Sequence, residues 1–219
     1  MDTNLKYFNY RNRLESLKNL NSRHERSFLT INNFLKFSNL PKVDKNSKFL
    51  DLGCGDGSYV NFLNKKKINA LGCDINVSNF ETDRLPYENE KFSHVMMYSV
   101  IEHVNNTSNL LNESKRVLKK DGCLIIITPN FRYAYLSFYD DPTHLKPFTD
   151  IGLSKILDIY GFKNIMVKPW TVNFVNFIWK LPFSFFFTNY LIPFRNDNNK
   201  FIPKIFKGKS STMIAGCSK

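Results

Sequence analysis

Few side chains in this chain could move a proton or grip a ligand near neutral pH, and they fall in short stretches. His144 lies in YDDPTHLKPFT. An imidazole there can take a hydroxyl proton, with Asp140 or Asp141 to orient the ring. The competing reading is that His144 ties down its own loop by hydrogen bonds. His103 follows Glu102 in VIEHV and carries the same two readings, the anchoring one favoured, with Glu102 as the anchor of the turn. His24 and His94 read as surface or core residues. Cys54, Cys73, Cys123 and Cys217 stand far apart with no CxxC or Cys/His spacing. No paired carboxylate set accompanies the histidines, so no metal is expected. The last candidate is a corner of backbone: FLDLGCGDGSYVNFL, residues 49–63, places three of the nine glycines within five positions.

That corner joins two elements and opens a regular alternation. KFLDLG reads as a buried strand, GSYVNFLNKKK as a helix, INALGCD and KFSHVMMY as further strands. NTSNLLNESKRVLKK reads as a helix with Leu110, Leu111, Val117 and Leu118 inward, and DGCLIIITPN as a strongly apolar strand. TDIGLSKILDIYGF is a capped helix ending at a glycine, NIMVKPW a strand and STMIAGCSK a terminal strand. Near-continuous apolar strands alternating with helices predict a parallel sheet covered on both faces. Between Asp74 and Phe92 the apolar positions are too few for a full crossover helix and strand, so both are expected to be abbreviated. Residues 1–46 are expected to form a helical lead-in, with Phe28, Ile31, Phe34 and Leu35 on one face, and residues 47–219 the domain proper. An aromatic, basic insertion at about 171–210 is broken by Pro182, Pro193 and Pro203.

A chain of 219 residues that is 42% hydrophobic suits one globular domain and excludes a disordered or fibrous class. The net charge of +12 concentrates anionic partners: nucleic acid, an acidic membrane surface, or a phosphorylated or carboxylated metabolite. The N-terminus lacks the apolar core of a signal peptide. Lys180 and Pro182 interrupt the one long apolar run short of the roughly 20 residues a membrane span needs. A cytoplasmic protein is expected. Arg195, Lys200, Lys204 and Lys207 in the stretch 174–209 offer peripheral contact with anionic head groups, against the alternative that its Phe residues pack on the domain or at a dimer contact.

A glycine-rich turn from a strand into a helix lets a ligand approach the backbone, because no Cβ stands in the way. The spacing is Asp51-x-Gly53-x-Gly55-x-Gly57, whereas the dinucleotide fingerprint would need glycine where Ser58 stands. This pattern resembles the first motif of class I S-adenosylmethionine (SAM) methyltransferases. At the end of the next strand, Asp74 in LGCDIN can accept both hydroxyls of a ribose. LPYENEKFSHVMMYSVIEHV followed by LLNESKRVLKKDGCLIIITPN is similar to small-molecule methyltransferases related to the ubiquinone-biosynthesis enzymes, over about residues 48–150.

The resemblance implies an α/β, Rossmann-like fold with a mostly parallel seven-stranded sheet, helices on both faces and an antiparallel last strand. It implies SAM as cofactor, with Asp51, Gly53 and Gly55 near its amino acid end and Asp74 on the ribose. Cys54, Gly57 and Ile75 complete that set. One of Asn79, Glu81 and Asp83, with Asp83 favoured, reaches the adenine, and Tyr98 and Ser99 lie beside the methionine portion. Ser93 stands where the family often carries Asp. The expected reaction is methylation of a small acceptor, at an oxygen of an anionic sugar, nucleotide-sugar or lipid-linked glycan, with His144 and His103 as catalytic candidates. The alternatives are an RNA or protein methyltransferase and a non-catalytic SAM-binding protein. Nucleic acid is not the expected partner, because YSVIEH occupies the place of the Asn/Asp-Pro-Pro-aromatic turn used for methylating base amino groups.

Overall fold

The computed structural model describes residues 17–170, 194–195, 201 and 207–219. Its strands are β1 (Lys48–Leu52), β2 (Asn69–Cys73), β3 (Phe92–Tyr98), β4 (Leu118–Pro129), β5 (Lys163–Pro169), β6 (Phe194–Arg195), β7 (Lys207–Lys209) and β8 (Thr212–Ser218). The helices are α1 (Leu17–Phe37), α2 (Ser58–Lys65), α3 (Thr107–Val117), α4 (Phe131–Ala134) and α5 (Asp150–Ile159). One sheet has the order β2-β1-β3-β4-β8-β5. Strands β1, β2, β3 and β4 pair in parallel, and β8 runs antiparallel to both β4 and β5. Strands β6 and β7 form a separate parallel pair, the described part of the predicted insertion; Lys200 and Lys204 lie outside the described residues. Among the described residues, no helix is long and apolar enough to cross a membrane.

Side-chain parity along the strands sorts the core into two layers, because successive residues face opposite sides of a sheet. Leu50, Leu52, Val95, Met97, Leu124 and Ile126 point to one face and pack with Leu110 and Leu111 of α3 and Leu153 and Leu157 of α5. Phe49, Met96, Ile125, Ile127 and Ile214 point to the other, where α1 supplies Ile31, Phe34 and Leu35 and α2 supplies Phe62 and Leu63. The i, i+3, i+4 spacing of the α1 residues therefore does what it predicts. Gly216 lets α1 close on β8, since a Cβ there would lie 2.7 Å from the Phe34 ring. Asp51 lies between Leu50 and Leu52 in β1, so parity turns it toward the α1 face.

Two expectations are corrected. Six strands rather than seven share the sheet among the described residues. Between β2 and β3 only Phe80 and Leu85 supply buried apolar side chains, too few for another covered strand. Side chains cap the edge of β2 instead. The Asn64 carboxamide donates to the carbonyl of Ala70 (3.1 Å) and accepts from its amide (3.0 Å), and the Tyr87 hydroxyl donates to the carbonyl of Gly72 (3.1 Å). Second, α3 ends at Val117, and Lys119 and Lys120, expected in the helix, belong to β4. Leu118 already pairs with Phe92, and the register shifts before His94 pairs with Cys123, around a left-handed Asp121.

Asn64 thus stands in for a neighbouring strand. Replacing it with Ala should leave one donor and one acceptor of β2 without that partner, at about 1–2 kcal/mol of unfolding free energy. Urea denaturation measures the loss, and affinity for the cofactor product should stay within twofold.

Candidate functional site

The chain leaves β1 toward β2 on one side of the sheet and returns to β3 on the other. This reversal of strand order opens a crevice outside the carboxyl ends of the strands. The glycine corner sits at that crevice. Gly53, Gly55 and Gly57 have φ of 76°, 57° and 73°, all left-handed, a conformation that residues with a Cβ rarely adopt. At Gly53 a Cβ would also fall 2.2 Å from Cγ2 of Val100, whereas at Gly57 it would meet nothing within 4 Å. The turn is bound to the end of β2: the Gly53 amide donates to the Cys73 carbonyl (2.7 Å) and the Gly55 amide to Oδ2 of Asp74 (2.7 Å). Oδ1 of Asp74 accepts from the Ile75 amide (2.7 Å). Each Asp74 oxygen keeps a further lone-pair site, so the clasped carboxylate can still receive two hydroxyls.

Behind the corner, on the α1 face, lies a cavity of about 180 Å³. Asp51 and Tyr98 line it from the sheet, Tyr59 from α2, and Arg23, His24 and Ser27 from α1. Burial, reinforced by the neighbouring Asp74 charge, pushes the carboxyl of Asp51 up to about 8. A buried acid and an arginine that line one small cavity suit a zwitterion, with the ammonium on the acid and the carboxylate on the arginine. The α1 residues were missed in sequence. His24, read as a surface or core residue, bonds Ser58 at the start of α2 (3.2 Å). His94 is a core residue, held between Ser93 (3.0 Å) and the Pro41 carbonyl (2.9 Å). Ser93 also closes β3 onto β1 through both backbone groups of Lys48, so the departure from the family's Asp preserves a structural contact.

The three candidates for the adenine are all engaged in the loop after β2. Glu81 accepts from the amides of Asn105 and Asn106, Asp83 accepts from the Asn79 amide, and Asn79 accepts from the Glu81 amide. Tyr98 ends β3 partly exposed, edge-on to Trp170 with ring centroids 6.2 Å apart, and Ser99 follows with φ 54°.

Beyond Ser99 the fold gathers three groups that the sequence separates. Glu102 and His103 lie in the single turn Ile101–His103, and His144 comes from the loop after α4. Leu145 and Lys146 donate their amides to the Glu102 carbonyl (2.9 and 3.0 Å), which pins that loop to the turn. His103 Nδ1 faces the carbonyl of Thr143 (3.0 Å) and its Oγ1 (3.0 Å), and His144 Nδ1 faces the carbonyl of Phe138 (2.5 Å). Carbonyls only accept, so both Nδ1 atoms carry hydrogen and each neutral ring presents Nε2 as an acceptor. Of the predicted orienting pair, Asp141 lies 3.9 Å from His144 Nε2, while Asp140 is exposed. Burial pushes the carboxyl of Glu102 up to about 7 against the opposing hydrogen bonds, with Asp141 adding to the rise. One ligand-capable atom each from Glu102, His103 and His144 lie within 4.8 Å of one another, so a metal could be held where sequence spacing pointed to none.

Residues 23–167 match the model of a methyltransferase domain. The chain belongs to that methyltransferase family. Its cofactor is SAM, and it is an enzyme of the SAM-dependent class. An uncharacterized protein of Methanocaldococcus jannaschii is 29% identical over 198 residues, covering 83% of this chain and 84% of the relative. A ubiquinone biosynthesis O-methyltransferase of Pelagibacter ubique is 27% identical over 113 residues. That match covers 43% of this chain and spans about half (47%) of the relative's length. A SAM-dependent methyltransferase of Mesorhizobium loti shares the fold, with a TM-score of 0.59 at 14% identity over 85% of this chain and 96% of that one. The family match begins inside α1, the helix that lines the cavity with Arg23, His24 and Ser27.

For this methyltransferase the cavity makes a separable prediction. Arg23→Ala and Asp51→Asn should each weaken binding of S-adenosylhomocysteine about tenfold or more. Methylthioadenosine, which lacks the amino acid end, should bind either variant as it binds the wild type. Calorimetry with the two ligands checks this.

The raised acid at Asp51 also sets a pH dependence. A cationic ammonium favours the carboxylate, so binding at pH 7 draws a proton off Asp51. Affinity for S-adenosylhomocysteine should therefore rise with pH, by at most about tenfold per unit, and level off above about 8. Between pH 4 and 8 the native state holds a proton that the unfolded chain has lost. The same residue therefore makes the ligand-free fold less stable as pH rises. Asp51→Asn should flatten both trends.

Proposed function

We propose that this methyltransferase alkylates a hydroxyl oxygen of a small, anionic acceptor, with a sugar, nucleotide-sugar or lipid-linked glycan as the class. Methyl transfer is an in-line displacement: the S–CH3 bond breaks with its electron pair left on sulfur, and a C–O bond forms. The enzyme aligns the two atoms and excludes water. A hydroxyl is a weak nucleophile until its proton is removed, which creates a role for a base.

The observation that carries this reading is the Phe138 carbonyl on Nδ1 of His144. It leaves Nε2 as a proton acceptor in a loop pinned beside the strand end that carries Tyr98 and Ser99. In the bare site the hydroxyl proton passes to that nitrogen, with His103 as the second candidate. Asp51, the glycine corner and Asp74 bind the amino acid end and ribose of SAM, and Asp83 serves the adenine edge by closing its loop. We include α1 in the cofactor-binding unit, since Arg23 and His24 line its cavity. Two supports favour the acceptor class. The net charge of +12 attracts anions. Tyr135 and Tyr139, 51% and 61% exposed in the loop that carries His144, offer flat faces to a sugar ring.

Labelled methyl transfer to a panel of hydroxylated acceptors tests the proposal. Anionic sugars should be preferred over their neutral counterparts. His144→Ala should slow turnover about 100-fold or more while S-adenosylhomocysteine binds within twofold. Turnover within a few-fold of wild type would remove the base assignment.

A further inference from the structure

The acceptor-side cluster brings a buried carboxyl and two imidazoles together. Both imidazoles spend their Nδ1–H on backbone carbonyls, which turns two Nε2 acceptors away from those carbonyls. The third member, Glu102, has no solvent exposure. Its Oε2 accepts from the Thr128 hydroxyl at 2.9 Å and the Ser99 side chain also favours the carboxylate, while Oε1 meets no donor at good hydrogen-bond geometry among the described residues. A buried carboxylate oxygen left this way is costly, and native proteins rarely keep one without a use. Two imidazoles and a buried carboxyl with ligand-capable atoms within 4.8 Å of one another are a donor set that suits a cation.

We propose that Glu102, His103 and His144 bind one divalent transition-metal ion through Oε1 and the two Nε2 atoms, leaving open positions for an acceptor oxygen. Metal–ligand bonds of about 2.0–2.2 Å place three donors on one ion roughly 3.0–3.6 Å apart, so atoms that lie within 4.8 Å of one another reach a shared ion by side-chain shifts of about 1 Å. The outer contacts are those such a site requires. Metal-bound histidine donates its other ring hydrogen to a carbonyl, as both rings do here, and the ligating carboxylate is itself hydrogen-bonded, as Glu102 is by Thr128. The Leu145 and Lys146 amides on the Glu102 carbonyl hold the loop ligand and the turn ligands in one rigid unit. Two imidazoles and one carboxylate select zinc, cobalt, nickel, iron or manganese over magnesium and calcium, which prefer oxygen. The chemical use rests on the oxygen-methylation reading: a bound ion lowers the pKa of a coordinated hydroxyl, and the imidazoles then serve as ligands rather than bases.

The test uses full-length, tag-free protein, stripped with a chelator and dialysed. Titration with Co(II) should reach one equivalent, with a visible d–d absorption band and micromolar or tighter affinity, and Zn(II) should displace it. His103→Ala and His144→Ala should each weaken Co(II) at least 100-fold. Glu102→Gln keeps the side-chain volume and should do the same. S-adenosylhomocysteine binding reports that each variant is folded. Absence of Co(II) and Zn(II) binding by the wild type at 100 μM would overturn the proposal. So would affinity unchanged in the histidine variants, or a preference for Mg(II). A wild type that binds S-adenosylhomocysteine but no metal leaves the methyltransferase reading standing. One that binds metal but no S-adenosylhomocysteine sinks that reading and keeps the metal site.

Discussion

The hydrogen bond from the Gly53 amide to the Cys73 carbonyl is the constraint on which the site depends. It draws the carboxyl end of β1 against that of β2, and a chain can make that turn only through left-handed backbone, which is why glycine recurs at every second position. Once the two strand ends meet, two acids meet as well. Asp74 is clasped by the amides of Gly55 and Ile75, while Asp51 is buried one strand away and has its ionisation opposed both by burial and by the Asp74 charge. In the proposed placement, a cofactor carrying a sulfonium and an ammonium would relieve that opposition. The corner is thus a site with an unfavourable charge arrangement that its ligand completes.

Pleat alternation explains the role of α1. Leu50 and Leu52 face α3 and α5, so Asp51 between them must face α1, where Ile31, Phe34 and Leu35 have already seated that helix on the sheet. The same seating that buries these three residues brings Arg23 and His24 over the cavity. Packing and ligand binding are therefore not separable in α1, and a loss of its apolar contacts would be felt by the cofactor.

The sheet was legible in sequence wherever apolar runs were long enough to be buried on both faces: β1, β3, β4 and β8 all fall where VMM, LIII and their like predicted them. The glycine corner was legible because residue type there reports backbone conformation directly. That the described residues supply six sheet strands and not seven was half legible, since the scarcity of apolar residues after Asp74 was visible, but the capping of β2 by Asn64 and Tyr87 was not. Arg23 lies 28 positions from Asp51 and meets its cavity only through helix packing, which no local pattern records. His144 lies 41 positions from His103, and their convergence is made by backbone hydrogen bonds to Glu102 and Thr143, to which sequence spacing is blind. The end of α3 was misplaced because Leu118 is buried equally well as the last turn of a helix or the first residue of a strand.

The two halves of the crevice differ in what they can contribute to a rate. SAM and its product both carry the amino acid and the ribose, so in the proposed placement Asp51, Asp74 and the corner amides would hold substrate and product by the same contacts. Binding that is equal in ground state and transition state lowers the concentration of cofactor needed and does not speed the chemical step. Acceleration must come from groups whose interaction changes as the methyl group moves, and those are the groups facing the acceptor's oxygen as it loses its proton and gains a carbon. In this fold they belong to the turn after β3 and the loop after β4, held together by the two amides on the Glu102 carbonyl. On the proposed roles, the sheet order that opens the crevice would also divide its labour, with affinity at the ends of β1 and β2 and reactivity beyond the ends of β3 and β4.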